Sequence, residues 1–406
     1  MQGRHVGAEC VVEDKDLAAE RLGEALDLLA RKMLDDERRI GIEFPYVTDP
    51  SGAWRTMPAS LSAGYRPDGS WTHGNWFCGF WVGLLLASHL WTREDRYLTL
   101  AEERMRLVAQ RAEDGNTHDI GFIFWSSAIP LYRITHNPAW RDIALKAADQ
   151  LRKRLVVTPR GSYLASWGPL SDPRGRAASA IDTMANIPLL YWAAAACGDA
   201  SFRLAAIAHA EMTRNFIRPD HSTYHAVEYD PVSGERRRGY TFQGYRDESL
   251  WSRGQCWAVY GYAATAAATG ERKYLDLAET LGRTWLDRLG VAPIPPYDFD
   301  DPDPARPLDT AASAIMASAF LDIAALHPAA DARKTWRERA LRLLDALMGG
   351  ALAREDSHRG LLKHGCYSWP HRDGVDSAVM FGDYFFVEAL CKLLMPGKFI
   401  DTLSPL

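Results

Sequence analysis

GFWVGLLLASHLW, residues 79–91, decides the fold. The run is long enough for several helical turns and carries no formal charge. A helix formed from it has no face to offer water and must be covered on every side. Five further stretches read almost the same way: GFIFWSSAIPLYRI (121–134), IDTMANIPLLYWAAAA (181–196), RGQCWAVYGYAATAAAT (253–269), 309–325 and 377–394. Between them lie segments of a different character, roughly 15–35, 96–113, 138–155, 201–216, 272–288 and 331–349. In these, apolar residues recur every three or four positions, with Arg, Glu and Lys on the opposite side, the signature of helices half in water. Six buried helices alternating with six amphipathic ones predict an all-α closed double ring, an inner barrel wrapped by an outer one. An open solenoid would show a tighter repeat and polar capping units at its ends.

Long irregular connections precede the inner helices, at 57–78, 157–180, 218–252, 289–308 and 350–376. Loops of this length inside a compact domain are usually functional. All should emerge at the N-terminal end of the inner helices, which is therefore the expected working face. Strands are few in this reading, with one β-hairpin expected around DPVSG in 224–242. Residues 1–14 are expected to be a flexible tail, and 15–406 one barrel domain.

Composition narrows the function. The 406 residues are 47% hydrophobic and carry a net charge of −5, which speaks against the basic stripe of a nucleic-acid binder. The six cysteines form no CxxC pair, and the twelve histidines show no HExxH, so no metal site is expected. GxGxxG, P-loop and GxSxG patterns are also missing, and no cofactor is expected. Neither a signal-like segment nor a membrane-length apolar run appears, which makes the cytoplasm the default location and a membrane partner unexpected. The unusual figure is the aromatic content: 14 Trp, 16 Tyr and 14 Phe. Such rings pack cores, and they also stack on sugar faces.

Two carboxylates stand out. Asp119, in THDIGF, and Asp182, in AIDTMAN, each sit at the start of an inner helix. Either alone could be an ordinary N-cap. Neighbouring staves of one barrel would nonetheless bring the two together at the mouth. Their apolar flanks (Ile120, Gly121, Phe122; Ile181, Met184) would also desolvate one carboxyl and favour its protonated form. A neutral acid beside an ionised partner suits acid/base chemistry on sugars.

The segment Gln243–Gly261 (QGYRDESLWSRGQCWAVYG) is the richest. Arg253 opens an apolar helix, where a cation opposes the helix dipole and requires an acidic partner or an anionic ligand. Asp247 or Glu248 could be that partner. Trp251 and Trp257 flank the arginine. Trp76 and Trp167 lie in or beside other mouth loops, so these rings form a candidate stacking platform for a sugar that carries negative charge. His118 and His225 are candidate hydrogen-bonding groups. Ser368, His371, Arg372 and Asp383 cluster near the last inner helix, with Asp383 read as structural.

The ordered set NWFCGFWVG, HDIGF, SWGPLSD, IDTMANIPLLYWA, HAVEYDP, QGYRDESLWSRGQCWAVYGYA, PYDFDDP and VDSAVMFGDYFFVEAL resembles the unsaturated glucuronyl hydrolases, glycoside hydrolase family 88, over about residues 70–395. The resemblance implies an (α/α)6 barrel acting on a small-molecule oligosaccharide that ends in a 4,5-unsaturated glucuronic acid. It implies hydration of the C4=C5 double bond, with Asp182 as general acid/base and Asp119 holding ring hydroxyls and tuning Asp182. His225, Gln243 and Arg253 match positions that contact the uronate; Trp76, Trp167, Trp251 and Trp257 match aromatic positions of the pocket. Phe381 departs from a common Trp, and the loop Tyr367–Asp373 lacks a clear pattern for sulfated aminosugars. A monomer or homodimer is expected. The competing readings are an unsaturated rhamnogalacturonyl hydrolase, a sugar epimerase on the same barrel using a histidine pair, and a non-catalytic carbohydrate-binding protein.

Overall fold

The computed structural model describes residues 9–65 and 71–406, without the side chains of 9–18, 65, 71, 173 and 174. The chain opens with α1 (Glu9–Glu37), an outer helix, followed by inner α2 (Cys78–Thr92) and outer α3 (Asp95–Val108). The second inner stave is split into α4 (Ile120–Trp125) and α5 (Ala128–Thr135), and is covered by α6 (Pro138–Lys153). A short surface helix, α7 (Pro173–Ala177), precedes the third stave, a 3₁₀ turn Ile181–Ala185 leading into α8 (Pro188–Cys197). The remaining helices alternate outer and inner: α9 (Ala200–Met212), α10 (Ser252–Thr269), α11 (Arg272–Leu289), α12 (Thr310–Leu326), α13 (Ala330–Gly350) and α14 (Met380–Leu394).

Neighbour contacts close the inner ring in the order α2, α4, α8, α10, α12, α14 and back to α2. The N-terminal helix α1 packs on both α14 and α2 and so covers the seam where the ring shuts. Lys32 secures this helix: its buried ammonium donates to the carbonyls of Ala353 (2.7 Å), His358 (2.6 Å) and Gly360 (2.9 Å). Close approach of the staves rests on glycine. A Cβ on Gly79 would lie 2.1 Å from the Ile123 carbonyl oxygen, and one on Gly261 would lie 2.4 Å from that of Met184.

The two broken staves have local causes. Ser126 and Ser127 turn their hydroxyls back onto the carbonyls of Phe122 and Ile123, and Pro130 has no N–H to continue the ladder. In the third stave Pro188 starts a new helix at its first position, after the 3₁₀ turn.

The hairpin expected in 224–242 is present as strands Ala226–Tyr229 and Arg236–Tyr240. A third strand that sequence reading missed, Ala178–Ala180, pairs with Ala226–Tyr229 and runs straight into the Asp182 turn. Further two-stranded pairs occupy the connections, including Gly365–Ser368 with Asp373–Ser377; they are too short for alternation to reveal them. Helix α1 begins at Glu9, within the 1–14 stretch expected as a tail; no helix breaker interrupts ECVVEDKD, and residues 1–8 of that stretch lie outside the described residues. No described helix is long and apolar enough to cross a membrane.

Candidate active site

Asp119 occupies the N-cap position of α4, yet its carboxylate caps nothing. The backbone amide it would ordinarily accept, that of Phe122, is taken by Asn186 Oδ1 at 2.6 Å. Asn186 also donates through Nδ2 to the Asp182 carbonyl at 3.1 Å. One side chain thus performs the capping, ties the two staves together and leaves Asp119 free for the pocket. Thr117 Oγ1 donates to Asp119 Oδ2 (2.9 Å) and accepts the Asp119 amide (3.1 Å), which fixes the carboxylate's orientation. His118 Nδ1 donates to the Ser166 carbonyl (2.9 Å), and its Nε2 stands 3.1 Å from Asp119 Oδ1 but off the line of a hydrogen bond.

Asp182 lies in the 3₁₀ turn that follows strand Ala178–Ala180, open only toward the pocket. Its Oδ1 is buried without a protein partner. Burial first, and the nearby Asp119 second, push its carboxyl up to about 8, against a smaller opposing pull from Arg253. At neutral pH it carries its proton.

The same strand layer sets His225. The Ile181 amide donates to the His225 carbonyl at 2.9 Å, so the Asp182 turn and His225 share one ladder. The imidazole lies between the rings of Phe242 (4.1 Å) and Trp251 (4.2 Å), with Nδ1 bonded to Thr241 Oγ1 (2.9 Å) and a buried, unpartnered Nε2. Burial, aided by Arg253, holds it neutral.

One pocket gathers both candidate carboxylates, Arg253, Gln243, His118 and the four candidate tryptophans; His225 backs it, and Ser368, His371, Arg372 and Asp383 lie off its wall. It is lined by Trp76, His118, Asp119, Trp167, Asp182, Gln243, Trp251, Arg253 and Trp257, together with His73, Phe122, Phe242 and Tyr367. Of the latter four, Phe122 entered the sequence reading only as an apolar flank of Asp119 and Tyr367 only as a loop boundary; His73 had a signal, three residues ahead of Trp76 in HGNW. His73, Trp167 and Phe242 also border an outer cleft of about 310 Å³ that His371 and Tyr240 complete. His118, Asp182 and His225 each carry a buried polar atom without a protein partner in this region, which marks it as a candidate ligand site.

Arg253 pairs with an acid more distant in the chain than those expected. Its acidic partner is neither Asp247, whose Oδ1 accepts the Thr241 amide, nor Glu248, but Asp309 at the N-cap of α12. Nη1 donates to Asp309 and to the Cys366 carbonyl (2.7 Å); Nη2 donates to Gln243 Oε1 (2.9 Å) and the Tyr367 carbonyl (2.6 Å). Trp251 and Phe381 sandwich the guanidinium at 4.7 and 5.0 Å. All four terminal N–H groups are therefore committed. Because arginine can only donate, Gln243 must present its oxygen to Arg253, which turns its NH₂ toward the pocket. Phe381, the departure noted above, also stacks on Trp76 at 5.1 Å. Asp383 is structural, accepting the amides of Leu361 and Leu362. Among the described residues no group of three or more His, Cys, Asp or Glu could hold a metal ion.

A pair of pocket carboxylates ringed by tryptophans at the mouth of a double helical ring defines a carbohydrate-active enzyme of the (α/α)6 class. The chain belongs to Glycosyl Hydrolase Family 88, whose sequence profile matches residues 55–269. It is 32% identical over 381 residues to the unsaturated glucuronyl hydrolase of Bacillus sp. strain GL1, covering 92% of this chain and 95% of that one. It is 31% identical over 326 residues to the unsaturated chondroitin disaccharide hydrolase of Streptococcus pyogenes serotype M1, covering 78% and 80%. A solved structure of a UGL variant with dGlcA-Glc-Rha-Glc superposes with a TM-score of 0.82 at 31% identity, covering 93% of this chain and 96% of that one.

Proposed function

We propose that this chain is a hydrolase that removes a 4,5-unsaturated glucuronic acid from the non-reducing end of lyase-generated oligosaccharides, within one catalytic barrel. The carrying observation is Asp182, a carboxyl raised to about 8 beside a carboxylate released from capping duty. Protonated Asp182 delivers its proton to C4 of the enol ether. Water then adds at C5 and returns a proton to Asp182, so the residue is regenerated. The C5 hemiketal opens by breaking the C5–ring-oxygen bond, and the hemiacetal left at C1 expels the neighbouring sugar. Asp119 holds ring hydroxyls and, as a nearby carboxylate, keeps Asp182 protonated.

Trp76, Trp167, Trp251 and Trp257 wall the ring, and the Gln243 NH₂ is the neutral donor offered to the uronate carboxylate. His118 and His225, both held neutral by burial, offer Nε2 to hydroxyls. The named relatives favour a glucuronyl over a rhamnogalacturonyl substrate. The free thiols of Cys78, Cys197, Cys256, Cys366 and Cys391 fit a reducing, cytoplasmic setting.

The test is loss of enol-ether ultraviolet absorbance from a panel of lyase-generated disaccharides. Wild type should turn over an unsaturated glucuronyl disaccharide and Asp182→Asn should not. Equal loss in both would overturn the reading.

A further inference from the structure

Asp309 is fully buried and lies behind the pocket, not on its wall. Its two oxygens have separate duties. Oδ1 accepts the Ala311 amide at 3.1 Å and caps α12, while Oδ2 receives Arg253 Nη1. The cap requires only an acceptor, which asparagine supplies as well as aspartate. The charge is therefore surplus to the helix: burial pushes the Asp309 carboxyl up, Arg253 pulls it back down, and a buried carboxylate is costly unless it serves such a partner.

That partner is the one cation among the described residues of the pocket wall. The groups that share the pocket wall with Asp182 are Asp119 and His118 from the start of the second stave, Arg253 from α10, and His73, Gln243 and Tyr367 from the mouth connections, with His225 of the strand layer behind the wall. Burial lowers the proton affinity of the three histidines and keeps them neutral. Asp309 faces Arg253 and the thiols of Cys256 and Cys366, which burial holds in the neutral form. Only Asp119 and Arg253 thus bring charge to the wall, and an unopposed guanidinium would favour ionised Asp182.

We propose that Asp309 is a positioning residue for the reaction: its charge, paired with Arg253, offsets part of the arginine's field at Asp182 and so helps to keep that carboxyl a proton donor. The inference rests on the role given to Asp182 above. It also explains why Arg253 can sit in the pocket wall of an enzyme that needs a neutral acid there. Recognition of the uronate then falls to the Gln243 amide, which Arg253 orients.

The experiment follows the carboxyl resonance of Asp182 in ¹³C-aspartate-labelled protein through a pH titration, assigned by its loss in Asp182→Asn, alongside the pH profile of kcat. Asp309→Asn retains the cap and removes the charge. Its Asp182 titration should fall by roughly one unit or more, and the alkaline limb of kcat should move to lower pH with it; Asp309→Glu should restore both. An Asp309→Asn protein that folds and titrates like wild type at Asp182 would overturn the proposal.

Should the single variant not fold, the double variant D309N/R253Q, which removes both charges, decides the matter. Its Asp182 titration should stay near the wild-type value, and a rise of roughly one unit or more would overturn the proposal, because the arginine's field had then not been offset. If no variant or wild type turns over an unsaturated uronide while the resonance shifts as described, the substrate reading fails and the electrostatic role of Asp309 stands.

Discussion

The carboxamide of Asn186 accepts the backbone amide of Phe122 at 2.6 Å, and by doing so releases Asp119 from the N-cap. Replacing Asn186 with Ala should therefore do two things. It strands a buried N–H and a carbonyl, for about 1–3 kcal/mol of stability per group left unsatisfied. It also lets Asp119 swing back to cap α4, so kcat should fall further than the loss of folded protein explains. Thermal unfolding together with active-site titration separates the two effects. Asn186→Asp keeps the acceptor for Phe122 and should retain more activity than Asn186→Ala.

Asp182→Asn should lower kcat by about 10²–10⁴-fold, the usual worth of a general acid. Its effect on stability runs the other way. The folded carboxyl titrates at about 8 against 3.8 for its ordinary value. Between those pH values the folded state binds a proton that the unfolded chain has released, so wild-type stability declines as pH rises through that window. Asparagine has no proton to lose. The variant's melting temperature should exceed that of wild type at neutral pH, by a margin that widens from about pH 4 and levels off above about 8. A constant margin across this range contradicts the buried-acid description.

The alkaline limb of the wild-type kcat profile should sit near the same value of about 8, because deprotonated Asp182 has nothing to give C4. Activity is expected on the acid side of the limb and lost above it. A rate that climbs through pH 9 would assign the proton to another group.

Trp167 borders both the inner pocket and the outer cleft, with its ring 5.1 Å from Phe242. It stands at the junction of the two cavities, so under the proposed function it is placed to stack on the leaving sugar. Loss of one stacking face is worth about 1.4 kcal/mol, or roughly a tenfold change in affinity. Trp167→Ala should raise KM by that order for a disaccharide while changing kcat much less. A change confined to kcat would place Trp167 at the reacting ring instead.

Lys32→Met should cost about 3 kcal/mol or more, since it abandons three carbonyls in the seam beside α1. Chemical denaturation should register the loss, with kcat per folded molecule unchanged. Reduced kcat in the folded fraction would mean that the seam reaches the pocket.

Much of this architecture was legible in the residues. The twelve helical segments appear close to where periodicity placed them, because burial of a whole helix or of one face leaves a direct imprint on the sequence. Asp119 and Asp182 could be nominated for the same reason, each sitting beside an apolar run that becomes a stave. What could not be read depends on partners remote in the chain. Asn186 looks like any polar residue in MANIP until α4 arrives beside it. Arg253 announces the need for a counter-charge, but Asp309 stands 56 residues away and nearer acids were equally eligible. The short strand pairs in the connections run for only two to six residues, too few for side-chain alternation to record them. Phe242 and Tyr367 became pocket residues only when their loops folded over the ring.

The seam covered by α1 bears on how the protein is made. An inner ring that shuts only when α14 meets α2, under a helix from the chain's other end, cannot be completed one hairpin at a time. While the ribosome is still adding residues 380–394, α2 and α12 each present a greasy flank with no neighbour. The emerging chain must therefore be shielded, by solvent-averse collapse or by a chaperone, until α14 is free to close the ring. A nascent chain arrested before Met380 should be the aggregation-prone species of this protein.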